Sequence, residues 1–271
     1  MAHTVLTTGA NSGIGLATAL ELGRRGFRSV GSVRSAAKAE IVAAAADEAG
    51  VDVETVLLDV TDADACQDVV DELAPYGLVN NAGYGLTGAI EDVSDDEARQ
   101  ILETMVLAPM RLARLVLPHM REAGQGRIVN VSSIYGRTTT PLTGWYQGAK
   151  HAIEGLSDAL RMEVASAGVK VVLIEPGGFK TNIWEDLQRD VDQRSGSRFD
   201  GAYRRTQQTM RLTEPIMGQP EGCARVIAGA VASRWPRARY LVGYDAQALA
   251  LMDRFTPTPV KDAVTRFTLG L

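Results

Sequence analysis

One stretch constrains this chain more than any other: Thr7-Thr8-Gly9-Ala10-Asn11-Ser12-Gly13-Ile14-Gly15, set between a strand pattern and a helix pattern. Residues 3–7 are short, apolar and β-branched, which predicts a buried strand. From Leu16 to Leu22 the apolar residues recur at helical spacing. A glycine turn between the two lets backbone come close to a phosphate. The first N–H groups and positive dipole end of the helix then face that anion. The spacing of Gly9, Gly13 and Gly15 is not the G-x-G-x-x-G fingerprint. A plain tight turn carries the same glycines, so the decision falls to the rest of the chain.

The rest keeps the same rhythm. Further strands are predicted at 28–33, 53–58, 76–80, 126–132, 169–175 and 239–242. Helices are predicted at 36–49, 62–73, 94–123, 144–167 and 221–233, with short amphipathic ones at 246–255 and 260–267. Ser94 followed by Glu97 forms a capping box in sequence, which marks a helix start. Strands alternating with helices imply right-handed crossovers and a parallel sheet covered on both faces. No internal repeat or low-complexity linker divides the 271 residues, so one domain is expected over 1–271. Residues 182–220 break the rhythm, mixing charges with Trp184, Phe199, Tyr203 and Met210, and read as a substrate lid.

Composition narrows the function. With 45% hydrophobic and 23% charged residues this is ordinary globular composition. A net charge of -5 gives no electrostatic ground for nucleic-acid binding. Cys66 and Cys223 form no C-x-x-C pair and suit a reducing compartment. His3, His119 and His151 lack metal-ligand spacing, so no metal is expected. No apolar run reaches the ~20 residues of a membrane span, and a cytoplasmic location is expected.

Chemistry concentrates near Tyr146. Lys150 lies four residues on in a helical segment, so the two side chains share a face. A nearby ammonium favours the phenolate, which is expected to pull the tyrosine below its usual pKa of about 10 and fit it for acid–base work. Ser133, on the loop after the fifth strand, offers a second hydroxyl to the same substrate oxygen.

Taken together, Thr8 to Gly15, Asn80-Asn81-Ala82-Gly83, Ser133, Tyr146 with Lys150, and Pro176-Gly177 stand in an order and spacing that resemble the short-chain dehydrogenase/reductase family. The resemblance is close over roughly the first 180 residues. The tail 237–243 is similar to the hydroxysteroid- and retinol-dehydrogenase-like branch. It implies an α/β fold: a single Rossmann-type, doubly wound parallel sheet of about seven strands. Under that resemblance Ser133 polarises the substrate oxygen, Tyr146 passes the proton, and Lys150 tunes the tyrosine and holds the nicotinamide ribose. Gly9, Asn11, Ser12, Gly13, Ile14 and Gly15 form the pyrophosphate turn. Asp59 contacts adenine, Asn81, Ala82 and Gly83 lie under the adenine ribose, and Pro176, Gly177 and Thr181 bound the carboxamide.

The end of the second strand sets the cofactor expectation. An acidic residue there suits the 2′-hydroxyl of NAD and an arginine the 2′-phosphate of NADP. Val33-Arg34-Ser35 supplies Arg34 and no carboxylate, so NADP(H) is expected. The reading is thus an NADP(H)-dependent enzyme interconverting a ketone or aldehyde with its alcohol. Trp184, Phe199, Tyr203, Met210, Leu142 and Trp145 favour an apolar substrate of steroid, retinoid or lipid type. A non-catalytic NADP(H)-binding regulator is the alternative, since Met105 stands where the family usually places an asparagine supporting a relay water. A sugar-nucleotide epimerase or dehydratase fits the glycine spacing less well. A homodimer or homotetramer through the two long helices is expected.

Overall fold

The computed structural model describes every residue except Met1 and Asn182, and all side chains except those of Ile183, Trp184, Glu185 and Leu187. Seven strands form one sheet: β1 (Thr4–Thr7), β2 (Arg28–Val33), β3 (Glu54–Leu57), β4 (Gly77–Asn80), β5 (Gly126–Val131), β6 (Val169–Pro176) and β7 (Arg239–Val242). The order is β3-β2-β1-β4-β5-β6-β7 and every pairing is parallel. The sequence therefore winds outward from β1 in both directions. Between β1 and β4 the crossovers part, which opens a crevice at the carboxyl ends of these strands.

Successive strand residues face opposite sides, so the central strands β1, β4, β5 and β6 each feed two cores. Leu6, Leu78, Ile128 and Val171 pack beneath α3 (Ala63–Leu73) and α5 (Ala108–Glu122), against Val70, Leu112 and Val116. Their neighbours Val5, Val79, Val129 and Val172 pack on the other face, against Leu22 of α1 (Gly13–Arg24) and Cys223, Ile227 and Val231 of α9 (Pro220–Ala232). Each wholly buried aliphatic of this kind contributes about 1.5–3 kcal/mol. Strands buried on both sides explain why these segments read as continuous apolar runs. The helix α2 (Ala36–Ala49) buries only Val42 and Ala46 and lies at the sheet's edge region near β2 and β3.

Three expectations change in detail. The helix read as continuous over 94–123 is α4 (Asp95–Leu102), a π-helical stretch at Glu103–Leu107, then α5. The helix over 144–167 ends as α6 (Gly144–Glu163), followed by a 3₁₀ turn at Ala165–Ala167 that stops at Gly168 with φ +74°. The 182–220 segment, read as a lid with no elements assigned, contains α7 (Ile183–Gln193) and α8 (Asp200–Thr213). Asn182 and the Trp184 side chain, parts of that reading, lie outside the described residues. The chain closes with α10 (Tyr244–Phe255) and α11 (Thr258–Leu269). No helix among the described residues is long and apolar enough to cross a membrane.

Candidate active site

The glycine turn runs from β1 into α1 along the crevice. Gly9 takes φ +66°, a region that costs an L-residue but not glycine. A β-carbon there would also stand 2.9 Å from Ala82 Cα, so the turn and the loop after β4 touch. Asn81 fastens them. Its Nδ2 donates to Thr8 O at 3.0 Å and Gly9 O at 3.3 Å, while Thr8 Oγ1 accepts from Asn81 N and Ala82 N. The Asn81 amide is thereby committed to the backbone of the turn, and what this loop offers a ligand is its exposed Gly83 edge.

Ser12 precedes α1 without capping it, leaving its hydroxyl and the first helical N–H groups of Gly13, Ile14 and Gly15 directed at the crevice mouth. Gly15 is packed so closely on Gly9 O that a β-carbon would collide with it. Across the crevice, Thr181 Cγ2 would lie 3.0 Å from a β-carbon on Gly13. The turn after β6, with Pro176 and Gly177 at its start, therefore folds back over the glycine turn. Asn11 sits half-buried on the same rim.

At the other end of the crevice Arg34 is exposed just past β2, and among the described residues it has no ion-pair partner. Its charge reaches Asp59, whose carboxyl is held below the usual range mainly by the Thr61 N–H and hydroxyl, with Arg34 adding a smaller pull. Asp59 Oδ1 accepts both Thr61 bonds, at 3.0 and 2.8 Å. It therefore braces the turn after β3 while leaving its second oxygen toward the Arg34 side unbonded among the described residues.

Ser133, Tyr146 and Lys150 converge beyond β5. Ser133 is buried and its Oγ accepts from Tyr135 N at 3.1 Å, which fixes its rotamer. The Tyr135 ring meets the Tyr146 ring edge-on, centroids 6.5 Å apart. Lys150 Nζ lies 5.7 Å from the Tyr146 ring centre and donates to Val131 O at 2.8 Å, tying α6 to the end of β5. Asn80, Asn130 and Ser157 form a buried chain behind them, with Nδ2 of Asn80 donating to Asn130 Oδ1 and that of Asn130 donating to Ser157 Oγ, both at 2.8 Å.

The electrostatics correct one expectation. Tyr146 is not lowered: burial pushes it up to about 12, with the Ser133 hydroxyl acting the other way. Burial also pushes Lys150 down to about 8, with Glu154 acting the other way.

Sequence reasoning missed the fastening of the lid. Arg194, at the end of α7, donates to Thr87 O at 2.6 Å, Asp92 O at 2.9 Å and Glu97 Oε1 at 2.7 Å. Asp190 accepts from Thr87 N, and Tyr203 of α8 donates to Asp92 Oδ2 while accepting from Ala89 N. Also missed was Asp245, which opens α10, accepts from Gly178 N at 2.5 Å and packs on Gly177. These partners are 67 to 114 residues apart, and no local pattern announces them.

A seven-stranded doubly wound sheet with a glycine cradle, an exposed arginine beside it and a Ser–Tyr–Lys cluster defines an oxidoreductase that works on a dinucleotide. Residues 3–192 match the short chain dehydrogenase family, and the chain belongs to that family. It is similar to the uncharacterized oxidoreductase YusZ of Bacillus subtilis, 40% identical over 66% of each chain. It is also similar to retinol dehydrogenase 5 of Homo sapiens, 31% identical over 98% of this chain and 88% of that one. Among solved structures it superposes on a variant of the actinorhodin polyketide ketoreductase with NADPH. The TM-score is 0.78 at 27% identity, over 92% of this chain and 97% of the other. The family uses NAD(P)H.

Proposed function

We propose that the protein is an NADP(H)-dependent carbonyl reductase or alcohol dehydrogenase acting on an apolar, steroid-, retinoid- or lipid-like molecule. The convergence of Ser133, Tyr146 and Lys150 at the crevice carries this reading. The residues present fit the dinucleotide. A β-carbon is excluded at Gly9 and Gly15 where backbone must meet phosphate, and the Ser12 hydroxyl does not cap α1. Arg34, exposed and without an ion-pair partner among the described residues, suits a 2′-phosphate, and Asp59 with Asn81, Ala82 and Gly83 would flank the adenosine. Thr181, Pro176 and Gly177 would bound the nicotinamide.

When bound, NADP(H) supplies or accepts the hydride. The chain's own residues do the rest. Ser133 donates a hydrogen bond to the substrate oxygen, and Tyr146 delivers a proton to it in reduction or removes one in oxidation. Lys150, anchored on Val131 O, places its amine 5.7 Å from the Tyr146 ring centre and would hold the ribose. The NADPH-bound ketoreductase and the retinol dehydrogenase among its relatives support the cofactor and the apolar substrate class. The lid over 182–220, closed against the loop after β4 by Arg194, would exclude water. Leu107, Leu156 and Met162, exposed on the long helices, support a homodimer or homotetramer.

The test is cofactor-resolved turnover on a panel of ketones, aldehydes and alcohols, followed at the nicotinamide absorbance. Turnover with NADPH and little with NADH supports the reading, whereas none with either cofactor rejects it.

A further inference from the structure

Behind Lys150 lies a buried cluster of charge that the reaction as described does not use. Glu154 sits one turn further along α6, on the face that carries Lys150, and both are buried. Arg239 of β7 donates through Nε to Glu154 Oε2 at 3.1 Å and through Nη2 to Asp158 Oδ2 at 2.6 Å, and its Nε stands 3.2 Å from Glu175. Glu175 of β6 is fully buried and takes two further bonds from Arg137, both 2.8 Å. Glu154 Oε1 and the hydroxyl of Ser132, the residue after β5, are buried without a hydrogen-bond partner among the described residues. Both crowd Gly136, where a β-carbon would stand 2.7 Å from Ser132 Oγ, 2.9 Å from Glu154 Cγ and 3.2 Å from Lys150 O.

The cations of this cluster outnumber its carboxylates: Lys150, Arg137, Arg239 and Arg161, whose Nη2 donates to Asp158 Oδ1 at 3.0 Å, face Glu154, Asp158 and Glu175. Glu154, one helical turn from Lys150, also takes a bond from Arg239, so its charge is shared between the two cations. Without that carboxylate the positive excess grows, and the lysine is the one member of the four that sheds its proton readily.

We propose that Glu154 is a positioning residue for the reaction: its carboxylate keeps the Lys150 side chain in the ammonium form beside Tyr146, and Arg239 keeps Glu154 charged and in place. Burial depresses Lys150, and Glu154 opposes that depression. The Glu154 carboxyl is itself raised, by burial first and by Glu175 after it, and Arg239 counters that rise. The proposal rests on the assignment of Lys150 to the reaction, but its test reads the lysine itself.

The chain has five lysines, Lys38, Lys150, Lys170, Lys180 and Lys261, so a carbon-13 label at lysine Cε yields five resonances, and Lys150→Met identifies one. Titrated in the full chain, the Lys150 midpoint is expected about one pH unit lower in Glu154→Gln than in wild type, as loss of a close opposite charge requires. Glu154→Asp should return part of that shift. The alkaline limb of turnover should move with the midpoint. A folded Glu154→Gln protein whose Lys150 titrates as in wild type overturns the proposal. A shifted midpoint with an unmoved activity profile leaves Glu154 acting on Lys150 and instead removes Lys150 from catalysis. If Glu154→Gln does not fold, the reciprocal experiment decides: the Glu154 carboxyl midpoint rises in Lys150→Met if the two are coupled. Equal midpoints in wild type and Lys150→Met refute it.

Discussion

Met105 packs onto Gly83, so that a β-carbon on the glycine would lie 3.1 Å from the methionine methyl. The π-helical stretch Glu103–Leu107 turns that side chain toward the loop after β4, where it joins a cluster with Leu86, Ile101, Trp145 and Tyr146. The helix thus keeps an i→i+5 widening of the kind found at functional sites, but lines it with a thioether that holds no water. Met105→Asn is expected to raise turnover or shift its pH profile by giving a water two hydrogen-bonding groups. An unpaired buried amide costs about 1–3 kcal/mol, so a thermal melt must accompany the assay. A folded variant with unchanged rate and pH profile would show that proton exchange never depended on this position.

Lys150→Met should lose turnover and weaken cofactor binding together, since the lysine is given two roles. Its stability should also show a signature. The folded pKa of Lys150, about 8, lies below its ordinary 10.5, so between these values the unfolded chain binds the extra proton. Wild-type stability relative to Lys150→Met therefore improves as pH rises from 8 to 10, and the burial penalty is in full force below 8. Denaturant melts across that range check the sign, and a gap that does not change with pH would contradict the burial of a titrating lysine.

Much of this was legible in the sequence, for local reasons. The capping box at Ser94 and Glu97 forms with both of its bonds, because three residues of spacing suffice to make it. The strands read correctly to within a residue or so, the central ones because they are apolar on both faces. The widening at Glu103–Leu107 was not legible: one extra residue per turn barely disturbs a 3.6-residue apolar stripe. Nor was the state of Tyr146, because spacing told that Lys150 was near but not that burial penalises the charge of each. The lid reads without assigned elements because α7 and α8 are highly polar, with α8 burying only Ala202 and Tyr203. Its fastening by Arg194 crosses about a hundred residues of chain.

Arg34→Asp should reverse the preference from NADP(H) to NAD(H). The carboxylate repels a 2′-phosphate and accepts from a 2′-hydroxyl. Isothermal titration with both cofactors checks this, and affinities that change in parallel would remove Arg34 as the selector.

Arg194→Ala should loosen the lid. The guanidinium is 8% exposed and its Glu97 partner 34% exposed. The loss should therefore stay near the value for hydrogen bonds to charged groups, about 1.5–3 kcal/mol. Faster proteolytic cleavage within 182–213 and a raised KM are expected, with kcat less affected. Cleavage at the wild-type rate would mean that other contacts hold the lid shut.

Tyr146→Phe tests the central claim most directly, because it removes one hydroxyl and keeps the ring that meets Tyr135 edge-on. Turnover of whichever panel compound the wild type accepts would be compared at saturating NADPH, beside cofactor affinity by titration. The account predicts that turnover falls to background while cofactor affinity stays within about twofold. Residual turnover within threefold of wild type, less than about 1 kcal/mol of barrier, would contradict Tyr146 as the proton carrier.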